Sequence, residues 1–498
     1  MQSSPQTVQN LKAMLETGVF LDPLLVSNFL RNSAQSPVQT VRSLARGLAA
    51  QIYSNCMHEE TIPAEEILDR RPFSPSLLRL CLIEALISTA FAISHEEYGT
   101  EEPDEASLGA AADKLVELVA RIGCGALYDA YFIIAGYDAL QPLYFHKHIT
   151  EQAFLSGVRH HPYLPENLEL FLLIGLSTET LRIKRVGGVR TVQITRLGIQ
   201  SYLAAKDVMR ESGYFDRRVK FAYLYSFDTV EDWDAMCDMV WPNHRQLRIE
   251  YLNFLGDLRG KRVLEVACGT GALTFDAKLS ERIDGTGELV ALDMSSGMLD
   301  QARRKWKQLG RPSNVTLQLG NVEKMPFPDA SFDLCIGAAF LHFVDPVAAL
   351  REMARTVVTG GIVSVYQGSY FSLDAPFFRD WFEPIFDLAR RRNAERPQSY
   401  MPESGETIVR WFEQAGLRDV VTENSSLTWV FDDPETIVQH VVRGVSFFET
   451  ELMELPWDDR RTIVAELVDR GRDVCARYPL RHRTMYLPMH SIKGHVVR

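Results

Sequence analysis

Hydrophobic positions along the chain change period twice. Up to about residue 160 they recur at helical spacing, as in Val8, Leu11, Met14 and Leu15, then Val41, Leu44, Leu48 and Ile52. Asp104 to Ile122 is a further amphipathic stretch, stopped by Gly123 and Gly125. Leu80 to Ile93 is apolar but too short to span a bilayer and contains Glu84, so it predicts a buried helix. From 165 to 210 the pattern shifts. A short helix, Glu166 to Leu173, precedes two alternating runs, Thr180 to Val186 and Val189 to Thr195, joined by Gly187-Gly188. Two glycines between alternating runs predict a hairpin. Another helix begins near Leu197, and helix, hairpin, helix predicts a winged-helix-like end to a mainly helical domain spanning 1–205. Residues 206–232 read as an aromatic-rich connector placed across the mouth of a site, with Tyr225 a candidate substrate contact. From 233 to 498 short apolar runs alternate with helical ones. Strands are expected at Val263–Val266, Gly287–Asp293, Val315–Leu319, Phe332–Ile336 and Ile362–Tyr366, with helices such as Met298–Leu309 and Val347–Val357 between them. That alternation predicts an α/β fold, a Rossmann-like doubly wound parallel sheet with helices on both faces.

Composition narrows the classes. A chain of 498 residues accommodates two or three domains, and 46% hydrophobic with 24% charged residues is ordinary for a globular protein. A net charge of −12 argues against a general nucleic-acid binder. The hairpin is locally basic through Arg182, Lys184, Arg185, Arg190 and Arg196, but the helix before it is acidic and apolar, a poor reader of base edges. Nucleic acid is therefore not expected as a partner, and a homodimer through the N-terminal domain is. The seven cysteines are dispersed with no CxxC pair, which predicts reduced thiols in a cytoplasmic protein. No metal is expected. His146-Lys147-His148 and His160-His161 lack a carboxylate or thiol at ligand spacing. The N-terminal residues carry no charged-then-apolar signal pattern, and no membrane partner is expected.

The chemistry concentrates at Val263-Leu264-Glu265-Val266-Ala267-Cys268-Gly269-Thr270-Gly271, a strand running into a glycine turn. Gly269 and Gly271 let the backbone take positive φ and approach a ligand closely. The next strand ends in Asp293, near the spacing of an acid that grips ribose hydroxyls. No third glycine completes a GxGxxG motif. A carboxylate at Glu265 would repel a pyrophosphate and attract an ammonium or sulfonium. The loop therefore suits a nucleoside joined to a cationic amino acid, and S-adenosylmethionine is such a molecule.

Several segments together resemble the class I S-adenosylmethionine-dependent methyltransferases, in particular the ubiquinone and menaquinone C-methyltransferase branch. They are Val263 to Gly271, Asp293-Met294-Ser295 with Met298, Gly320-Asn321-Val322-Glu323, Phe332-Asp333, Leu341-His342 and the preceding Trp233-Asp234-Ala235-Met236. The N-terminal 200 residues have no counterpart there and are similar to the dimerisation domain of natural-product O-methyltransferases. The resemblance implies that Glu265 lies near the methionine ammonium and that Ala267, Gly269 and Gly271 pass the methionine portion. It implies that Asp293 accepts from both ribose hydroxyls and that Met294 and Met298 pack near the adenine. Asn321, where the family usually has Asp, would accept from the adenine amino group; Val322 would supply a backbone donor, and Glu323 completes the set.

Methyl transfer asks the protein for alignment more than for a strong acid or base. His342, after the fourth strand, is a candidate general base and substrate contact, with Tyr366 as the second catalytic candidate. Tyr370, Trp381 and His490 are further substrate candidates, and the aromatic run from 370 to about 402 is expected to form a substrate lid. The function expected is methyl transfer to carbon or oxygen of a small apolar or aromatic compound of natural-product type, in secondary metabolism. Two alternatives stay open: a cofactor-sensing regulator that binds DNA through the wing, and a methyltransferase fold used for other chemistry.

Overall fold

In the computed structural model the residues described are 5–19, 36–59, 75–94, 103–157, 165–218, 227, 230, 232–391, 401–444, 448, 451–452 and 455–497. The chain forms two compact units. One comprises 1–94, 101–222 and 452–462, the other 95–100, 223–451 and 463–498.

The first unit opens with five helices: α1 (Pro5–Glu16), α2 (Ser36–Glu59), α3 (Pro75–Ile93), α4 (Glu105–Ile122) and α5 (Cys124–His146). Asp104 caps α4 by accepting the Ser107 N–H at 2.7 Å, and Gly123 ends it with φ 83°. Helix α5 is buried on most sides, with Leu127, Tyr131, Ile134 and Leu143 in the core. It therefore also buries Asp138, and Arg218 neutralises that carboxylate with two hydrogen bonds of 3.0 and 2.7 Å. A three-stranded sheet follows: β1 (His148–Thr150), β2 (Leu181–Val186) and β3 (Val189–Ile194), in the order β1-β3-β2. Helices α6 (Glu151–Leu155) and α7 (Pro165–Ser177) lie between β1 and β2 in the chain, and α8 (Arg196–Glu211) follows β3. The hairpin register puts Val186 opposite Val189, so the turn is Gly187-Gly188, both at positive φ. Cys124 is disulfide-bonded, a departure from the expected all-reduced set, while Cys81, Cys237, Cys268, Cys335 and Cys475 are free. Pairing follows from which thiols the fold brings together, not from their spacing in the chain.

The second unit is built on seven strands in the order β6-β5-β4-β7-β8-β10-β9. These are β4 (Arg262–Val266), β5 (Glu288–Asp293), β6 (Val315–Leu319), β7 (Phe332–Ala338), β8 (Val357–Gly368), β9 (Leu417–Val430) and β10 (Thr484–Val496). β4 to β8 pair in parallel, as their near-continuous apolar runs predict. One strand departs from an all-parallel sheet: β10 runs antiparallel between β8 and β9, so β9 keeps the direction of β8. β9 is the edge, and half of its residues are exposed, which an antiparallel edge tolerates and a parallel one rarely does. The order reverses at β4, which has β5 on one side and β7 on the other. In open sheets of this kind ligands sit outside the carboxyl ends of the strands at that reversal.

The segment expected to be a lid contains α13 (Pro376–Arg391), counting α9 (Trp233–Val240), α10 (His244–Leu255), α11 (Ser296–Gln308) and α12 (Pro346–Thr356) before it. Its aromatic face is core, with Phe377, Phe378, Trp381 and Phe382 each 2% exposed or less. Rings spaced for one helical face are satisfied by burying that face.

Candidate cofactor and acceptor site

β4 delivers its carboxyl end into a loop in which every second residue is at positive φ: Ala267 (51°), Gly269 (55°) and Gly271 (77°). A methyl group built on Gly271 would meet the Phe275 ring at 2.5 Å, so this glycine is required by internal packing. One built on Gly269 would meet nothing within 4 Å. The loop is thus closed against the protein at one glycine and open at the other, as a cradle for an outside molecule requires. Beyond it, a π-helical turn, Ala272–Asp276, stands where a regular helix is expected.

Two carboxylates frame this loop. Asp293 ends β5 and accepts the Gly269 N–H at 2.7 Å and the Ser295 N–H at 2.8 Å. Burial raises its pKa, and these N–H donors pull it back. Each carboxylate has about four acceptor sites, so two remain for hydroxyl donors. Glu265 is buried and accepts from the Thr274 hydroxyl. Burial pushes it up to about 8, with the Asp293 charge adding to the rise and the Thr274 bond opposing it. A buried acid of this kind is stabilised as a carboxylate by a neighbouring cation.

The remaining cofactor candidates line the adjoining strand ends. Met294 is half-buried, whereas Met298 is buried at the start of α11, where Ser295 accepts its N–H at 3.1 Å. The Gly320 N–H donates to the Asp293 carbonyl, which brings Asn321 to the same edge. Asn321 Oδ1 accepts the Glu323 N–H at 2.9 Å, leaving its second lone pair for another donor. Val322 is buried and Glu323 accepts the Asp345 N–H at 3.1 Å.

A latch absent from the sequence reading ties α9 to the loop. Thr270 donates to Asp234 at 2.7 Å, and Lys305 bridges Asp234 and Asp276 at 2.7 and 2.5 Å. The Trp233 N–H donates to Gln301 on α11, whose amide donates to the Val230 carbonyl. The threonine between the two glycines and the Trp233-Asp234 start of that helix were the local signals in the chain.

From that latch a row of half-exposed rings leads to the end of β7. The Trp233 ring lies 5.2 Å from Phe227, Phe227 lies 5.6 Å from Phe343, and Phe343 lies 3.9 Å from His342. Gln367, at the end of β8, donates to His342 Nδ1 at 3.2 Å and accepts the Leu341 N–H at 3.1 Å. Burial pushes the His342 pKa down to about 4. The two catalytic candidates are not neighbours. Successive strand residues point to opposite faces, so Tyr366 lies on the side opposite Gln367 and His342. There it packs 5.6 Å from Tyr251, and burial pushes its phenol up to about 12. Neither side chain is a base poised near neutral pH.

Other substrate candidates are spent elsewhere. Trp381 is fully buried and its indole donates to the Leu467 carbonyl at 2.8 Å, so it is a packing residue. Both His490 nitrogens are engaged, with Asn424 at 2.7 Å and Ser369 at 3.0 Å. Tyr370 is exposed, with its N–H on the Pro402 carbonyl. Tyr225 lies outside the described residues. An open groove lined by Met239, Val430, Thr436 and Ile437 contains none of the candidate residues. The strand ends, not that groove, hold the donor set.

Buried acids at neighbouring strand ends with an open glycine between them fit a nucleoside carrying a cationic amino acid. Known proteins agree. The ubiE/COQ5 methyltransferase family matches residues 220–425. A demethylmenaquinone methyltransferase of Bacillus licheniformis is 30% identical over 206 residues, covering 38% of this chain and 85% of that protein. One from Staphylococcus aureus is 32% identical over 193 residues, covering 36% and 77%. One from Lactococcus lactis is 33% identical over 157 residues, covering 31% and 60%. Among solved structures, the YcgJ protein of Bacillus subtilis is 19% identical, covering 51% of this chain and 99% of its own, with a TM-score of 0.33. The chain belongs to the ubiE/COQ5 methyltransferase family, the class I enzymes that use S-adenosylmethionine as cofactor.

Proposed function

We propose that the acceptor is a small planar aromatic molecule carrying a hydroxyl or carbonyl oxygen, methylated on carbon or oxygen. The observation that carries this reading is the ring row Trp233, Phe227, Phe343 and His342, which begins beside the glycine-loop latch and is half-exposed throughout. Adjacent aromatic faces favour a flat apolar ligand, and a single polar group at one end orients it. The curated relatives are named for demethylmenaquinone, which has the same chemistry.

When bound, S-adenosylmethionine supplies an electrophilic methyl group on a sulfonium. In this reading Glu265 faces the ammonium, Asp293 holds the ribose hydroxyls, and the Gly269 backbone lets the sulfur approach the acceptor. The α9 latch, through Asp234 and Thr270, keeps the loop in that shape and excludes water. The first unit is read as a winged-helix-like dimerisation module. Its support is the order helix, strand, two helices, hairpin, helix and the exposed apolar residues Leu173, Leu197, Ile199 and Leu203. The helix before the hairpin, α7, has no lysine or arginine, and Arg190 on the hairpin is held by Glu151, so DNA contact is not part of the reading.

The test is a methyl-transfer assay with radiolabelled S-adenosylmethionine against 1,4-naphthohydroquinone, simple phenols and aliphatic alcohols of equal size. Transfer confined to the aromatic acceptors is the expected result. Transfer to the aliphatic set alone overturns the reading.

A further inference from the structure

We infer that Gln367 is a positioning residue that holds His342 as a neutral hydrogen-bond donor, with its proton on Nε2, facing the acceptor. This rests on the acceptor site proposed above.

The orientation of the Gln367 amide is fixed by two backbone groups that leave no choice. The Leu341 N–H can only donate, so the atom facing it at 3.1 Å is the amide oxygen. The Gly368 carbonyl can only accept, so the atom facing it at 3.2 Å is the amide nitrogen. The same nitrogen lies 3.2 Å from His342 Nδ1 and donates to it. A ring nitrogen that accepts carries no proton, so in the neutral imidazole the proton sits on Nε2. Nε2 has no hydrogen-bond partner among the described residues, and His342 is half-exposed at the end of the ring row. Its open nitrogen is thus a donor where the candidate base needed an acceptor. Charging the ring would place a proton between Nδ1 and an amide N–H, with no acceptor there to receive it. A donor at this point suits an acceptor oxygen, which it can hold while an adjacent carbon or a second oxygen receives the methyl group. The proton released by the acceptor then leaves through water and not through His342.

Histidine-selective nitrogen NMR on the full chain reads the tautomer, with His342→Asn identifying the resonance. In the wild-type protein Nδ1 is expected to show an unprotonated shift and Nε2 a protonated one, unchanged from pH 5.5 to 8. Gln367→Glu keeps an acceptor for the Leu341 N–H but places a carboxylate at Nδ1. It is expected to move the proton to Nδ1 and raise the His342 pKa into that range. Gln367→Met is expected to leave the tautomers mixed. A wild-type His342 that carries its proton on Nδ1, or that titrates between pH 5.5 and 8, overturns the inference. In steady-state assays with the naphthohydroquinone, His342→Asn, which retains an N–H donor, is expected to keep more activity than His342→Leu, with the loss mainly in KM. Equal loss in both overturns the donor role. S-adenosylhomocysteine binding is measured in parallel, so that failure of the cofactor site is distinguished from failure of this assignment.

Discussion

The N–H of Gly269 donates to the carboxylate of Asp293 at 2.7 Å, across 24 residues of chain. This bond joins the tips of the first two parallel strands and shapes the loop proposed to pass the cofactor. The same carboxylate that the cofactor's ribose is expected to find is therefore already holding the loop. Removing it disturbs both. Asp293→Ala is expected to abolish S-adenosylhomocysteine binding by calorimetry. Asp293→Asn, which keeps one acceptor oxygen, is expected to weaken it by about 1.5–3 kcal/mol, the worth of a charged hydrogen bond. Unchanged affinity in Asp293→Ala would contradict the assignment.

The two loop glycines separate stability from binding. Gly271→Ala places a methyl group 2.5 Å from Phe275 at φ 77°. Strain and overpacking together are expected to cost roughly 2–5 kcal/mol, read as a lower denaturation midpoint. Gly269→Ala meets open space at φ 55° and is expected to cost only about 1–2 kcal/mol of stability. Its methyl group stands in the cradle, so cofactor affinity should fall far more than stability does. Equal affinity in the two variants would show that nothing passes Gly269.

Glu265 links binding to pH. Its folded pKa, about 8, lies above the value of ~4.3 expected when unfolded. Between these values the folded state holds the extra proton, so this group's contribution to stability falls as pH rises. A bound ammonium favours the carboxylate and drives the proton off. S-adenosylhomocysteine affinity is expected to rise with pH up to about 8, by at most about tenfold per unit, and calorimetry in buffers of different ionisation enthalpy should register proton release. Binding without proton exchange at pH 7 would place Glu265 away from the ammonium. Glu265→Gln should remove the exchange.

The latch predicts a smaller effect. Thr270→Val removes the 2.7 Å bond to Asp234 while keeping the shape of the side chain. A loss of about 0.5–1.5 kcal/mol in stability is expected, with faster hydrogen exchange in Trp233–Val240. Protection of that helix equal to wild type would mean that Lys305 and Gln301 hold it without Thr270.

In the first unit the buried pair of Asp138 and Arg218 has no water to fall back on. Asp138→Ala takes a bidentate carboxylate away from a buried guanidinium and is expected to cost about 3–5 kcal/mol. A thermal scan showing no loss would mean that Arg218 finds another acceptor.

Local features were legible in the chain. The hairpin at Gly187-Gly188, the strand-to-glycine turn at Gly269 and the acid at Asp293 are each written in a few consecutive residues. Their conformations depend mainly on φ preference, alternation and short-range hydrogen bonding, so short segments specify them. The aromatic run around Trp381 misled because a helix with one ring-rich face reads the same whether that face meets a ligand or a core.

Sequence alone thus determined the sheet's parallel half, the glycine cradle and the two acids, because periodicity and turn chemistry act between near neighbours. Tertiary structure decided what those groups can do. The parity of β8 put Gln367 on the face of His342 and sent Tyr366 to the other. The fold brought Asp234 to Thr270 and set β10 antiparallel between β8 and β9. These are contacts across 25 to 128 residues of chain, and no local pattern encodes them.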